Sequence, residues 1–182
     1  FAEFSSSIGS FNTLKNMVVA GTGLLAGKFA LQMRYSDLKS DGFIERTGSD
    51  HRSAYISGIF RTDRSRLKIN VILGEEHTGI GWWGVPKDML EVNRRYNPAG
   101  EYTDETGIKQ YYDNESDNYF QNHYQLIYSL KLNNCLSLHT ALHYTKGEGY
   151  YEEYKENQAF TDYGMSSISI GDTIITETDL IR

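Results

Sequence analysis

The chain contains 182 residues, carries a formal net charge of -6, and intersperses acidic and basic side chains along its length. This length is enough for one domain of ordinary size, and the absence of a basic stripe excludes a nucleic-acid-binding surface. Fourteen tyrosines and 17 glycines against two prolines are typical of a β protein. No run of about 20 apolar residues is present, which excludes a transmembrane helix.

Alternation of apolar and polar residues predicts five strands in the first half of the chain, because successive side chains of a strand point to opposite faces. The segment 28–36 shows the pattern most clearly, since Leu31 and Met33 alternate with Gln32 and Arg34. The five predicted strands span residues 1–8, 14–22, 28–36, 54–61 and 66–75.

A longer hairpin follows, with predicted strands at residues 121–132 and 136–146. Its apolar faces coincide only if Leu132 lies opposite Leu136, because a slip of one residue would put the two faces out of phase. This register places Tyr124 opposite Tyr144 and leaves residues 133–135 as a three-residue loop, in which we expect asparagine at positive φ.

The connections between the predicted strands differ strongly in length. Short turns alternate with long polar loops at residues 37–52, 76–118 and 147–172, after which residues 173–182 are expected to begin an eighth strand. In an up-and-down meander, successive connections lie at opposite ends, so one end carries tight turns and the other carries long loops. Transmembrane β-barrels show this asymmetry, whereas soluble sandwiches mix loop lengths at both ends.

The predicted fold is therefore all-β, an antiparallel up-and-down meander of about seven to eight strands that forms a segment of a larger transmembrane barrel. One row of side chains would face lipid and the other an interior. The chain opens and closes within such extended segments, so we expect both ends to be cuts through a longer protein.

Six short motifs are spread across nearly the whole chain. They are GSFNT at 9–13, SDGF at 40–43, GVP at 84–86, RYNPAG at 95–100, DNESDNY at 113–119 and LHYTKGEGYY at 142–151. In their order and spacing they resemble TonB-dependent outer-membrane receptors, in particular the Bacteroidetes-type branch.

The resemblance implies a barrel of about 22 strands around a plug domain, of which this chain is the N-terminal part just after the plug. The plug and the C-terminal strands would lie outside the chain. It further implies the bacterial outer membrane, with its lipid and lipopolysaccharide, as the location. TonB would act through a part of the protein outside this chain, and a small-molecule ligand such as a ferric siderophore or haem would be taken up.

Seven aromatic and cationic residues in the long loops are candidates for ligand contact. Exposed aromatic rings beside guanidinium groups can hold an anionic or aromatic ligand by stacking and by charge. The alternatives are that they hold the loops together or lie at the membrane interface. The candidates are Trp82, Trp83, Arg94, Arg95, Tyr96, Tyr150 and Tyr151.

Two other functions stay open at this point. Tryptophans and many tyrosines also suit a soluble carbohydrate-binding β-sandwich, a binding module rather than a transporter. A TonB-dependent importer of a glycan or of cobalamin is the second alternative, since the sequence does not name the substrate.

No motif predicts a metal ion, a cofactor or catalysis. His139 and His143 share a face of one predicted strand, but four residues along a strand separate them by about 13 Å. The acidic segment 113–118 lacks the glycine and the terminal glutamate of a calcium-binding loop, and Cys135 has no second cysteine to pair with. We also find no arrangement of nucleophile, base and acid, and therefore no enzyme.

Overall fold

The computed structural model describes all residues from Phe1 to Arg182. Seven long strands form one antiparallel sheet. They are β1 (Ala2–Gly9), β2 (Thr13–Gly21), β3 (Phe29–Ser40), β4 (Ser49–Arg61), β5 (Ser65–Gly79), β8 (Ser116–Lys131) and β9 (Ser137–Glu152). Each pairs with the next long strand along the chain, in the order β1-β2-β3-β4-β5-β8-β9, so the predicted up-and-down meander is confirmed. No helix of the chain is long and apolar enough to cross a membrane.

Six short strands and two 3-10 turns occupy the connections. Three two-stranded sheets pair β6 with β7, β10 with β13 and β11 with β12. The short strands are β6 (Glu101–Thr103), β7 (Lys109–Tyr111), β10 (Tyr154–Ala159), β11 (Ile168–Ile170), β12 (Thr173–Ile175) and β13 (Glu177–Ile181), and the 3-10 turns are Lys87–Met89 and Phe160–Tyr163.

The chain divides into two compact units. The first unit comprises Phe1–Gly42, Gly48–His77 and Asn118–Gly149, and it contains most of the seven-stranded sheet. The second unit comprises Phe43–Thr47, Thr78–Asp117 and Tyr150–Arg182, the long connections.

The hairpin of β8 and β9 has the predicted register. The rings of Tyr124 and Tyr144 stack with centroids 6.1 Å apart, and the amide of Leu132 donates to the carbonyl of Leu136 over 3.0 Å. The expectation of positive φ in the loop is wrong. Instead the Asn133 side chain accepts hydrogen bonds from the amides of Cys135 and Leu136, at 2.8 and 2.9 Å, and closes the turn as a local side-chain cap.

The two faces of the first unit differ in chemistry. On the polar face, Asn70 links three strands: its side chain accepts from Ser57 over 2.9 Å and donates to Gln125 over 3.0 Å. On the apolar face, the rings of Phe29 and Phe60 pack with centroids 4.8 Å apart. The alternation in the sequence therefore sorts polar and apolar side chains as predicted.

The apolar face of the first unit is not covered by a second layer of protein. The exposed fractions of Phe4, Leu31 and Leu142 are 68%, 50% and 62%, and the three buried hydrophobic residues, Ile80, Ala99 and Phe160, all belong to the second unit. The first unit thus lacks the dry interior that a soluble β-sandwich needs, and the sandwich alternative does not fit this fold.

Most strands of the sheet extend beyond the predicted boundaries. β3 and β4 continue by several residues, so the loop predicted at 37–52 shrinks to 41–48. Polar side chains carry the extension: Lys39 lies opposite Asp50 and pairs with it over 3.1 Å. Backbone pairing does not need an apolar face, so a boundary placed where the apolar residues end falls too early.

The expected eighth strand at residues 173–182 is not part of the seven-stranded sheet. Its first residues form β12, which pairs with β11, and its last residues form β13, which pairs with β10. Alternation indicates an extended backbone but does not identify the partner strand. The loop predicted at 147–172 accordingly contains the end of β9 and two further short strands.

Candidate functional site

The second unit is held together around the side chain of Asn97, which is 2% exposed. Its amide nitrogen donates to the carbonyls of Glu45 and Ile80, over 2.9 and 2.8 Å, and its amide oxygen accepts from the amide of Ala99 over 3.1 Å. One side chain therefore joins three separate segments of the loops through their backbone groups.

Arg46 reinforces the same junction. Its guanidinium group donates to the carbonyls of Asn97 and Ala99 and lies 3.7 Å from the ring centroid of Tyr111. The backbone of Gly79 passes so close to the Arg46 carbonyl that a Cβ atom at Gly79 would overlap it. Sequence reasoning missed this arginine, because its partners lie more than 50 residues along the chain.

Glu115 is a buried carboxylate within the second unit, with 6% of its surface exposed. One oxygen accepts from the amide of Tyr154 over 2.7 Å, while Oε2 is buried with no hydrogen-bond partner. Burial raises the pKa of Glu115 above its ordinary value of 4.5, and the nearby charge of Glu153 acts in the same direction. The environment therefore shifts the equilibrium of this carboxyl group toward its uncharged form.

We expect the second unit to lose stability as the pH rises through the raised pKa of Glu115. An acid with a raised folded-state pKa binds its proton more tightly in the folded unit than in the unfolded chain. The stabilisation from this proton is therefore complete below pH 4.5, the ordinary pKa, and is lost as the pH rises through the raised pKa. Hydrogen exchange of the segment that contains Tyr154–Ala159, corrected for the intrinsic rate at each pH, measures this change.

The matched variant is Glu115→Gln, which keeps the size of the side chain and cannot ionise. It should remove the pH dependence above 4.5. Glu152 and Asp179 do not interfere in this range. A hydrogen bond from Tyr112 lowers the pKa of Glu152, and a hydrogen bond from the amide of Asn157 lowers the pKa of Asp179. Their contributions to stability therefore change only in more acidic solution. An equal slope in both proteins would contradict the assignment to Glu115.

Four of the seven candidate ligand residues lie in or beside an exposed cluster. The Trp82 ring meets Tyr151 edge-on with centroids 5.5 Å apart, and the guanidinium of Arg182 lies 5.7 Å from the Tyr151 ring. The ammonium of Lys155 lies 4.5 Å from the centre of the Trp83 ring. We call Trp82, Trp83, Tyr151, Lys155 and Arg182 the aromatic-cationic cluster. Tyr150, the fourth candidate, precedes Tyr151 and is 61% exposed.

Arg94, Arg95 and Tyr96 make their contacts inside the loop. The Nε atoms of the two arginines donate to the carbonyls of Leu90 and Phe43, over 3.2 and 2.8 Å. The Tyr96 hydroxyl donates to Glu101; burial and this bond together raise the pKa of Tyr96. These contacts hold the loop together, as in the alternative role considered in the sequence analysis. A role of the three residues in ligand binding stays a prediction.

The two tryptophans of the cluster are 59% and 60% exposed. Sequence reasoning found both of them and Tyr151, but it missed Lys155 and Arg182. The ring contacts of Lys155 and Arg182 place two cations beside three aromatic faces, and Lys155 is also paired with Glu153 over 3.2 Å. Such a surface can stack on flat ligands and attract negative charge.

The histidines of the first unit are arranged differently from the pair considered in the sequence. His139 bonds to Ser129 over 3.0 Å, whereas His143 lies beside His123 of the neighbouring strand, with ring centroids 5.7 Å apart. The pairing of the two strands brings these rings together, because the predicted register places His123 opposite Thr145, next to His143. No group of three or more His, Cys, Asp or Glu side chains is arranged to hold a metal ion.

Comparisons with known proteins give a match at the level of structure. No protein-family model and no curated protein sequence matches the chain. The fold is similar to the crystal structure of the ferric-catecholate import receptor Fiu from E. coli K12 in its closed form, with a TM-score of 0.66 and 13% sequence identity. The match covers 99% of this chain and 26% of the length of that receptor. It shows that nearly the whole chain has the fold of part of an import receptor.

Proposed function

We propose that the chain is part of the barrel of a TonB-dependent outer-membrane receptor, which takes up an iron chelate. The observation that carries the proposal is the structural similarity of 99% of the chain to part of a ferric-catecholate import receptor. The six motifs of the sequence support the same family. In this proposal the chain is the first part of the barrel after a plug domain, and the plug and the contact with TonB belong to other parts of the protein.

The side-chain distribution of the first unit supports a place in the membrane. Its apolar face is exposed, with Leu138 and Leu142 at 47% and 62%, and a pair of tyrosines lies on the same face toward the long loops. Apolar rows bounded by aromatic rings suit the hydrocarbon layer and its interface with water. Lipid and lipopolysaccharide are therefore the proposed partners of this face.

The aromatic-cationic cluster is the proposed ligand contact. Ferric catecholates are aromatic and carry negative charge, so tryptophan faces can stack on the catechol rings while Lys155 and Arg182 attract the charge. Haem is also flat and anionic, and it would use the same contacts. A neutral glycan would use the tryptophans without the two cations, which separates it from an iron chelate.

We expect Trp82→Ala and Trp83→Ala each to weaken binding of a ferric catecholate to the intact receptor by roughly tenfold. Each change removes an aromatic pair worth about 0.5–1.5 kcal/mol, together with the apolar contact area of the ring. Lys155→Gln should weaken binding of the anionic chelate but leave a neutral oligosaccharide unaffected. Binding is measured by fluorescence quenching, with haem and a neutral oligosaccharide as the other two probes.

Val92→Ala is the matched control, since Val92 is an 80% exposed apolar residue of the same unit. If Trp82→Ala and Trp83→Ala bind and take up the chelate as the wild type does, at equal surface abundance, the cluster is not the ligand site. The barrel assignment is tested separately: an intact protein that stays monomeric in detergent-free buffer would exclude it, because the apolar face needs lipid or detergent.

A further inference from the structure

Two histidines and a threonine meet on the polar face of the first unit, on the neighbouring strands β8 and β9. Nδ1 of His123 lies 3.5 Å from Nε2 of His143. The hydroxyl oxygen of Thr145 lies 3.0 Å from the first nitrogen and 2.8 Å from the second. The three atoms thus form a triangle whose sides measure 2.8–3.5 Å.

These separations match the spacing of ligand atoms around one metal ion. With bonds of about 2.1 Å, two ligands of a tetrahedral zinc ion lie roughly 3.4 Å apart, and two neighbouring ligands of an octahedral ion lie about 3.0 Å apart. The two nitrogens lie on adjacent strands only 3.5 Å apart, so one ion between the strands could contact both. An ion there would bind two imidazoles and one hydroxyl, and water would complete its coordination.

The surroundings do not oppose a cation. Gln121, Gln125 and Ala141 are the nearest positions along the two strands on the same face, and all three are uncharged. Imidazole is a preferred ligand of the late first-row divalent metals, for which affinity rises toward copper. The hard, oxygen-preferring ions Mg²⁺ and Ca²⁺ would find one hydroxyl oxygen and no carboxylate.

We propose that His123, His143 and Thr145 form a binding site for a late first-row divalent transition-metal ion such as Zn²⁺ or Cu²⁺. The ion would join β8 to β9 across the polar face. This site lies in the first unit and is independent of the aromatic-cationic cluster of the second unit, so it holds whichever ligand the receptor transports.

The test is titration of the intact, detergent-solubilised protein with Zn²⁺, followed by calorimetry, in the wild type and in single variants. His123→Ala and His143→Ala should each weaken the site by at least about tenfold, and Thr145→Val should weaken it by a smaller factor. His139→Ala is the matched control: it lies on the same strand and face as His143, contacts Ser129 instead, and should leave the affinity unchanged.

A second measurement does not depend on how the alanine variants fold. Cu²⁺ bound to the wild type should show the electron-paramagnetic-resonance splitting of two coordinated nitrogens, and His143→Gln should reduce this to one. Binding that weakens as the solution is acidified is also expected, because protons compete for the imidazole nitrogens. The proposal is wrong if the wild type binds no more Zn²⁺ than the His123→Ala/His143→Ala double variant, or if His139→Ala lowers the affinity as much as His143→Ala does.

Discussion

Leu138→Arg should destabilise the barrel by up to about 2–4 kcal/mol, the cost of an arginine on the lipid-facing side near the middle of a bilayer. Leu138 lies on the apolar face of β9 and is 47% exposed. In the proposed membrane its side chain is surrounded by lipid, where the guanidinium group loses its hydration without gaining a partner. The measurement is denaturant unfolding of the intact protein in lipid vesicles, together with its abundance in the outer membrane.

His139→Arg is the matched control, one residue further along the same strand and on the polar face. It adds the same cation at nearly the same depth and removes one hydrogen bond, to Ser129. In the proposed barrel the polar face lines an interior, so the cost should stay near the worth of that bond, about 1 kcal/mol. Equal effects of the two arginines would mean that the apolar row does not face lipid.

The meander could be predicted because strand alternation is a local signal. From Leu136, just before β9, to Tyr144, every second residue is apolar apart from Thr140. This pattern alone determines which residues share a face and which register aligns the hairpin. Where polar residues such as Lys39 continue the ladder, the signal stops while the strand continues. Several predicted strands were therefore too short at one end, although the order of the strands was right.

The second unit could not be predicted in the same way. Its contacts join residues far apart in sequence, such as Trp82 with Tyr151 and Arg46 with Asn97, and no periodic pattern connects them. Residue type did select the two tryptophans, because aromatic rings beside arginines in a long loop can hold a ligand. It did not show that Arg95 bonds to the loop backbone, since an arginine can either hold a loop or hold a ligand.

Asn97→Ala is expected to destabilise the second unit by about 3–5 kcal/mol, a larger effect than any surface substitution in the loops. The change removes the donor for two carbonyls, of which that of Ile80 is buried, and the acceptor for one buried amide. Each buried group left unpaired costs about 1–3 kcal/mol. The partners are Glu45, Ile80 and Ala99, and the last two are themselves buried, at 0% and 3% exposed. Hydrogen exchange of the three segments they belong to should rise together, because one side chain joins them.

Asn93→Ala provides the comparison within the same loop. The Asn93 side chain makes two hydrogen bonds, one fewer than Asn97. Its amide nitrogen donates to the carboxylate of Glu45, a side chain that is 37% exposed and can bond to water instead. Its cost should therefore stay near 1 kcal/mol, about the net worth of one hydrogen bond. If Asn97→Ala leaves exchange unchanged, or accelerates it only at residues next to position 97, the three segments are held by other contacts. In that case the Arg46 guanidinium, which bonds to the carbonyls of Asn97 and Ala99, becomes the group to remove.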